Sequence, residues 1–102
     1  MSANPYRGEV AVHVGGEVLV LRPSFSALVA AEAELGPLFA LVERAAAGEL
    51  RLGEMASLFW HCAQARPANL DRERLGDALV AQGLATMTPV LRQLLGQILQ
   101  GR

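Results

Sequence analysis

The sequence predicts an α+β fold in a single domain, with a two-stranded β-hairpin followed by four or five short helices. Two runs rich in β-branched residues flank the pair Gly15 and Gly16, and a two-glycine turn between such runs is a strong hairpin signal. Beyond Pro23, apolar residues recur every three or four positions in segments that Gly or Pro separates, a pattern typical of short amphipathic helices. The length of 102 residues suits one domain.

The hairpin is predicted over residues 8–22, and its two-residue turn fixes the register. The more apolar face, expected to face the core, pairs Val10 with Leu21, Val12 with Leu19 and Val14 with Glu17. The other face carries Val18 and Val20, and at its far end Glu9 opposes Arg22. An isolated hairpin is marginal and has open edges, so we expect helices or a neighbouring subunit's strand to cover it.

Helices are predicted over residues 25–35, 37–47, 53–65, 70–82 and 86–100. Ser24 is a favourable N-cap for the first of these, and Pro37 suits the first position of the second. Asn69 or Asp71 is expected to cap the fourth helix. Thr88 before Pro89 reads as a cap for the fifth, unless that helix is longer and begins near Leu84.

Each helix has an apolar stripe that we expect to be buried. The predicted stripe residues are Phe25, Leu28, Val29 and Leu35 in the first helix; Leu38, Leu41, Val42 and Ala45 in the second; Leu52, Met55, Phe59 and Cys62 in the third; Leu75, Ala78 and Leu79 in the fourth; and Leu91, Leu94, Leu95 and Ile98 in the fifth.

The composition points to contacts with other proteins. Apolar residues make up 52% of the chain but aromatic residues only 5%, and this is more apolar surface than a core of this size readily hides. The excess favours a partner or self-association into a homo-oligomer. The residues proposed for partner binding are Val18, Val20, Phe59, Trp60, Leu91, Leu94, Leu95 and Ile98.

Reactive groups are few, so neither an enzyme nor a metal or cofactor site is expected. His61 and Cys62 are adjacent on a predicted helix, which points their side chains about 100° apart. No His pair at i, i+4 and no Cys-x-x-Cys motif completes a metal site. The chain contains no lysine, so the two glycines of the turn do not belong to a phosphate-binding loop of the Walker type.

The net charge of −1 gives no electrostatic basis for binding nucleic acid or an anionic membrane. No apolar run approaches the length of a membrane span, and the N-terminus does not resemble a signal peptide. We therefore expect a cytoplasmic protein. A helix-turn-helix over residues 53–82 is a weaker alternative, because Asp71 and Glu73 interrupt the basic residues of its second helix.

Several short segments resemble a known family. They are Asn4-Pro5-Tyr6-Arg7-Gly8-Glu9-Val10, the turn Gly15-Gly16, Leu21-Arg22-Pro23-Ser24-Phe25-Ser26-Ala27-Leu28 and Glu32-Ala33-Glu34-Leu35-Gly36. Together they resemble the small tail proteins of gene transfer agents, a branch of the phage tail assembly chaperones that has also been called a tail tube protein. The resemblance covers residues 4–44, and beyond them it rests on the order of elements and on Gly83.

The resemblance implies a role and no active site. Chaperones of this kind are thought to coat the long tape-measure protein and to recruit the major tail protein to it. A structural tail component that stays in the particle is the alternative, with a virion-associated location. In either role the apolar faces of the helices would make the contacts.

Overall fold

The computed structural model of the chain describes residues 8–14 and 16–100. The predicted fold class is confirmed, since a two-stranded antiparallel hairpin precedes five helices within these residues. The elements are β1 Val10–Val14, β2 Glu17–Leu21, α1 Phe25–Leu35, α2 Leu38–Ala46, α3 Leu52–Cys62, α4 Arg72–Gln82 and α5 Leu84–Gln100. The motif residues Asn4, Pro5, Tyr6 and Arg7 lie outside the described part.

The hairpin has the predicted register, from the pair Val10–Leu21 to the pair Val14–Glu17. Gly16 adopts a φ of 83°, as a tight turn of this kind requires; Gly15 lies outside the described residues. Val12, Leu19 and Leu21 are buried, which confirms the core face. Against this face pack α4 and α5, which both contact β1.

The outer edge of β2 is covered by the chain that leaves α3. The Arg22 amide donates to the Cys62 carbonyl at 2.8 Å, and the Gln64 amide donates to the Val20 carbonyl at 2.9 Å. Ala63 is extended and forms an isolated bridge with Leu21. The prediction that this helix continues to residue 65 is therefore wrong, because pairing with the strand edge ends it at Cys62.

The buried stripe of α1 differs from the prediction. Ala27 and Ala31 are buried, whereas the side chains of Phe25 and Val29 are 85% and 47% exposed. The helix contacts α3 and α2, and the predicted stripe residues Leu28 and Leu35 are partly buried against the core beside the two alanines. Alanine lets helices approach closely without a bulky side chain between them. The larger apolar residues at Phe25 and Val29 are turned toward solvent.

Helix starts follow the capping residues. The Ser24 hydroxyl accepts from the Ala27 amide at 3.2 Å, and Asp71 accepts from Arg74 at 2.8 Å, so both predicted caps are confirmed. Pro37, predicted as the first helical residue, instead lies just before α2 with a non-helical ψ of 128°. The Leu38 amide that begins α2 donates to the Glu32 carboxylate at 2.9 Å.

Helix α5 takes the longer of the two predicted forms. It begins at Leu84, so Pro89 is its sixth residue and, because proline lacks an N–H, the helical hydrogen bond to the carbonyl four residues earlier is missing there. Thr88 is not an N-cap: its hydroxyl lies 3.1 Å from the Leu84 carbonyl and donates to it. Gly83, with a φ of 91°, makes the short connection from α4.

The core joins one side of the hairpin to all five helices. Its largest fully buried side chains are Phe59, Leu21, Leu41, Leu58, Leu75, Leu79, Met87, Leu94, Val12 and Cys62. Met87, absent from the predicted α5 stripe, extends that stripe toward the start of the helix. No polar or charged residue is buried in the described part of the chain.

Candidate partner-binding surface

An apolar groove runs between α2 and α5. Its volume is about 540 Å³, which falls within the size range of ligand-binding clefts. The lining residues are Val42, Ala45, Ala46, Gly48 and Leu50 on one wall and Thr88, Leu91, Arg92, Leu95, Gly96 and Leu99 on the other. Its walls are therefore mostly aliphatic, with one charged side chain.

The α5 wall is a second apolar stripe on that helix. Met87 and Leu94 face the core and are fully buried, while Leu91, Leu95 and Leu99 recur every four residues along the groove. This spacing extends over two turns of helix, about 12 Å at 1.5 Å per residue. A helix that is apolar on two sides is typical of one covered on both sides.

The eight residues predicted for partner binding lie in different parts of the structure and differ in burial. Leu91 and Leu95 line the groove, as a partner-binding role requires. Phe59 and Leu94 are fully buried, which corrects their assignment: they belong to the core, because their stripes face the hairpin and the neighbouring helices. Ile98 is half-buried against the same core.

The other three predicted residues lie at the hairpin and at the end of α3. Trp60 is half-buried, and the Arg66 guanidinium lies 4.2 Å from the centre of its ring, where it covers one face by a cation–π contact. Val18 is 40% exposed at the rim of a small pocket against α4. Val20 is half-buried on the strand whose edge residue 64 covers. Their roles in binding stay predictions.

A polar cluster connects α1, α3 and α4 away from the groove residues. The Glu34 carboxylate of α1 lies 2.7 Å from His61 Nε2 on α3 and 2.6 Å from the Arg72 guanidinium on α4. The Ser57 hydroxyl donates to it at 3.2 Å. Hydrogen bonds from Arg72 and His61 lower the pKa of Glu34 to about 2. This cluster joins three helices at one point.

A second ion pair ties α2 to α3. The Arg44 guanidinium donates two hydrogen bonds, each 2.7 Å long, to the two oxygens of Glu54. Glu54 also accepts from the Arg51 amide at the start of α3, at 3.0 Å. The bonds from Arg44 and then from Arg51 lower the pKa of Glu54 to about 2. These contacts fix α2 on the α3 side and leave its α5 side open.

The candidate reactive side chains are not gathered at one place. Cys62 is buried, and burial raises the pKa of its thiol to about 12, which disfavours the reactive thiolate. His61 is turned to Glu34, and His13 is exposed on the hairpin. Among residues 8–14 and 16–100, no group of three His, Cys, Asp or Glu side chains has the geometry of a metal site.

Two exposed aromatic residues were not predicted as surface features. Phe39 is 78% exposed in the first turn of α2, and Phe25 is 85% exposed in the first turn of α1. For Phe39 a signal exists in the sequence, since it lies off the stripe formed by Leu38, Leu41, Val42 and Ala45. For Phe25 there is none, because its spacing fits the apolar stripe with Leu28 and Val29 that the sequence predicts to be buried.

Over the described residues, no single helix has both the length and the apolar character needed to cross a bilayer. The pair α1 and α2 meets these criteria only when joined, and an 80° bend separates the two.

The described residues thus form a small α+β domain with an open, mostly aliphatic groove between α2 and α5. The comparison with known families identifies the family to which this domain belongs. Residues 7–101 match the family model described as phage tail tube protein, GTA-gp10, and the chain belongs to this family. No curated protein and no solved structure matches it. The chain is thus a tail protein of a phage or gene transfer agent.

Proposed function

We propose that this tail protein is a non-catalytic assembly chaperone that holds helical segments of the tape-measure protein in the α2–α5 groove. The groove is the observation that carries the proposal. Its aliphatic walls suit an amphipathic helix, whose apolar anchors at i, i+3 or i+4 and i+7 can insert between them. Family membership supports the coarser part of the proposal, a role in the tail.

The physical need for such a chaperone lies in the partner. A tape-measure protein is a long helical chain with apolar stripes, and before a tube encloses it those stripes favour aggregation. A groove two turns long covers only a short piece of this chain. Many copies bound along one polymer would nevertheless give a stable coat, because each further copy binds a chain that is already held near others.

Aliphatic walls suit this task better than a highly specific site. Leu91, Leu95 and Leu99 offer contact to many apolar side chains without demanding a particular hydrogen-bond partner. The single charged residue of the groove, Arg92, favours helices that carry a carboxylate beside their apolar stripe. One site could therefore accept successive segments of different sequence.

The test is co-expression with the tape-measure protein of the same phage or gene transfer agent. We expect the tagged chain to keep the tape-measure protein soluble and to retain it on affinity resin. Leu95→Asp, which puts a charge in the groove, should abolish both effects. Val80→Asp, which changes an exposed valine of α4 outside the groove, is the matched control and should preserve them. An insoluble tape-measure protein with the wild-type chain would contradict the proposal.

A structural component retained in the particle is the second candidate. It is favoured by the family description as a tail tube protein. The sheet in the described residues has only two strands, and the outer edge of β2 is already paired with residues 62–64, so a tube would have to be built from β1 edges or from helices. Quantitative mass spectrometry of purified particles distinguishes the two roles, since many copies per particle favour this one and absence favours the chaperone.

A DNA-binding role has less support. Arg72 is engaged with Glu34, and the Arg74 guanidinium donates to the Asn69 carbonyl at 2.7 Å. The neighbouring carboxylates of Asp71 and Glu73 add negative charge at the same helix start. These groups oppose contact with phosphates.

A further inference from the structure

We infer that two copies of this chain cover each other's α2–α5 groove, with a ridge on α2 as the element that each inserts. The inference uses the groove of the proposed function but does not depend on the identity of the tape-measure protein as partner.

The ridge is formed by Phe39 and Glu43, which lie one turn apart on the same side of α2. Phe39 is 78% exposed and Glu43 is exposed beside it. A large aromatic side chain in this setting is the kind of residue that anchors protein interfaces. The ridge therefore presents an apolar knob followed by a negative charge.

The groove presents the matching features. Its aliphatic walls can accept an aromatic ring, and Arg92 supplies the positive charge at its rim. Neither Glu43 nor Arg92 forms an ion pair within residues 8–14 and 16–100. Two unpaired opposite charges, each beside an apolar feature, make the ridge and the groove complementary.

The position of α2 explains why the second copy can be symmetric. Val42, Ala45 and Ala46 of this helix line the groove, and helical spacing places Phe39 and Glu43 on the adjoining side of the helix. The ridge and the groove are thus neighbours on one surface. A twofold axis can place the ridge of each copy in the groove of the other, as an isologous interface requires.

Charge also favours the ridge over α5 as the inserted element. The only charged residue of α5 is Arg92, so two α5 helices packed together would bring positive charges into one interface with no acid between them. Glu43 provides the acid that α5 lacks. The chain itself therefore contains both halves of the contact.

This arrangement would protect the groove before a tape-measure helix arrives. A dimer hides the aliphatic walls and Phe39 together, and the incoming helix would have to displace the ridge. Dimer and tape-measure complex would then be exclusive states of one surface.

The experiment is sedimentation equilibrium of the purified full chain over a wide range of concentration. We expect a monomer–dimer equilibrium, and we expect Phe39→Ala to weaken it by about tenfold or more, as the loss of an interface anchor does. Glu43→Arg and Arg92→Glu should each weaken the dimer. The double variant Glu43→Arg/Arg92→Glu should restore much of it, because the exchanged charges again attract.

Asp77→Arg serves as the matched control, since it reverses an exposed charge of α4 outside the groove and should leave the dimer unchanged. Circular dichroism verifies that each variant is folded. A wild-type chain that is monomeric throughout, a dimer insensitive to the single charge reversals, a double variant without recovery, or assemblies that keep growing beyond two copies would each overturn the inference.

The two proposals can fail separately. The dimer is measured with the purified chain alone, so its absence leaves the co-expression test of the chaperone unaffected. Conversely, a dimer with charge-swap recovery stands even where the tape-measure protein is not retained.

Discussion

Two groups of helices present similar apolar residues to each other but differ in how closely they pack. Between α1, α3 and α4 the helices are in contact, and Glu34, His61 and Arg72 join them at the surface. Between α2 and α5 the facing residues are equally aliphatic, yet the walls stand apart and leave a groove. An apolar stripe thus indicates that burial of that side of the helix is favourable. It does not show that the residues that bury it belong to the same chain.

The polar contacts account for part of this difference. The Arg44–Glu54 pair holds α2 toward α3, while α5 is held by its contacts with α4 and β1. The two helices are fixed to different neighbours, so neither can move to close the groove without giving up contacts elsewhere. The groove is a consequence of where its walls are anchored.

The largest effect is expected in the sealed core. Phe59→Ala should lower the free energy of unfolding by about 3–5 kcal/mol, because it removes a fully buried ring and leaves a cavity. Phe25→Ala, at an 85% exposed position, should change it by less than about 0.5 kcal/mol. Urea denaturation measures both. Equal effects of the two substitutions would contradict the assignment of Phe59 to the core and of Phe25 to the surface.

Adjacent leucines of α5 give the sharpest test of its two sides. Leu94→Ala should cost about 2–5 kcal/mol of unfolding free energy, since Leu94 is fully buried. Leu95→Ala should cost clearly less, because its side chain lines an open groove, and should instead weaken retention of the tape-measure protein. Urea denaturation and affinity retention together separate the two. The reverse order of stabilities would mean that the groove side is the true core.

Periodicity and turn chemistry were sufficient for most of the fold. The two-glycine turn predicted the hairpin register that is observed. Burial of Val12 and Leu19 supports the same register, because a slip of one residue would expose them. Ser24, Asp71 and Gly83 marked helix ends through local hydrogen bonds or backbone conformation. Such signals lie within a few residues of the feature they determine, so a single sequence contains them.

What the sequence could not reveal depends on distant residues. The end of α3 at Cys62 follows from pairing with β2, which lies some forty positions earlier. The exposure of Phe25 follows from the close approach of α3 to Ala27 and Ala31. In the candidate site, Leu91 and Leu95 were predicted, but the opposite wall from α2 was not. No local sequence pattern indicates which helices face each other.

The cap of α4 should have a smaller effect than the core. Asp71→Ala removes the acceptor of the Arg74 amide and should cost about 1 kcal/mol of unfolding free energy. Asp71→Asn is the matched control, since its side-chain oxygen can still accept that bond and should preserve most of the stability. Thermal unfolding of the three proteins provides the comparison. If alanine and asparagine proved equivalent, the cap would not be what fixes the start of α4.

The smallest effect concerns the cluster that fastens α1, α3 and α4. The pKa of Glu34 falls from its ordinary value of 4.5 to about 2 in the folded protein. A carboxyl with a depressed pKa stabilises the fold fully above its unfolded value, and this contribution is lost as the pH falls from about 4.5 toward 2. The side chain is 35% exposed, so solvent screening keeps the contribution small.

We therefore expect the melting temperature to decline in that acidic range, and the decline to be shallower in Glu34→Gln, which cannot titrate at this position. Glu73→Gln, at an exposed position of α4 outside the cluster, should retain the slope of the wild type. Added salt should reduce the difference between wild type and Glu34→Gln at neutral pH, because it screens exposed charges. Thermal melts across this pH range and two salt concentrations measure each of these differences. A Glu34→Gln profile parallel to that of the wild type would mean that apolar contacts alone hold α1, α3 and α4 together. The polar cluster would then not explain why these helices pack closely while α2 and α5 leave a groove.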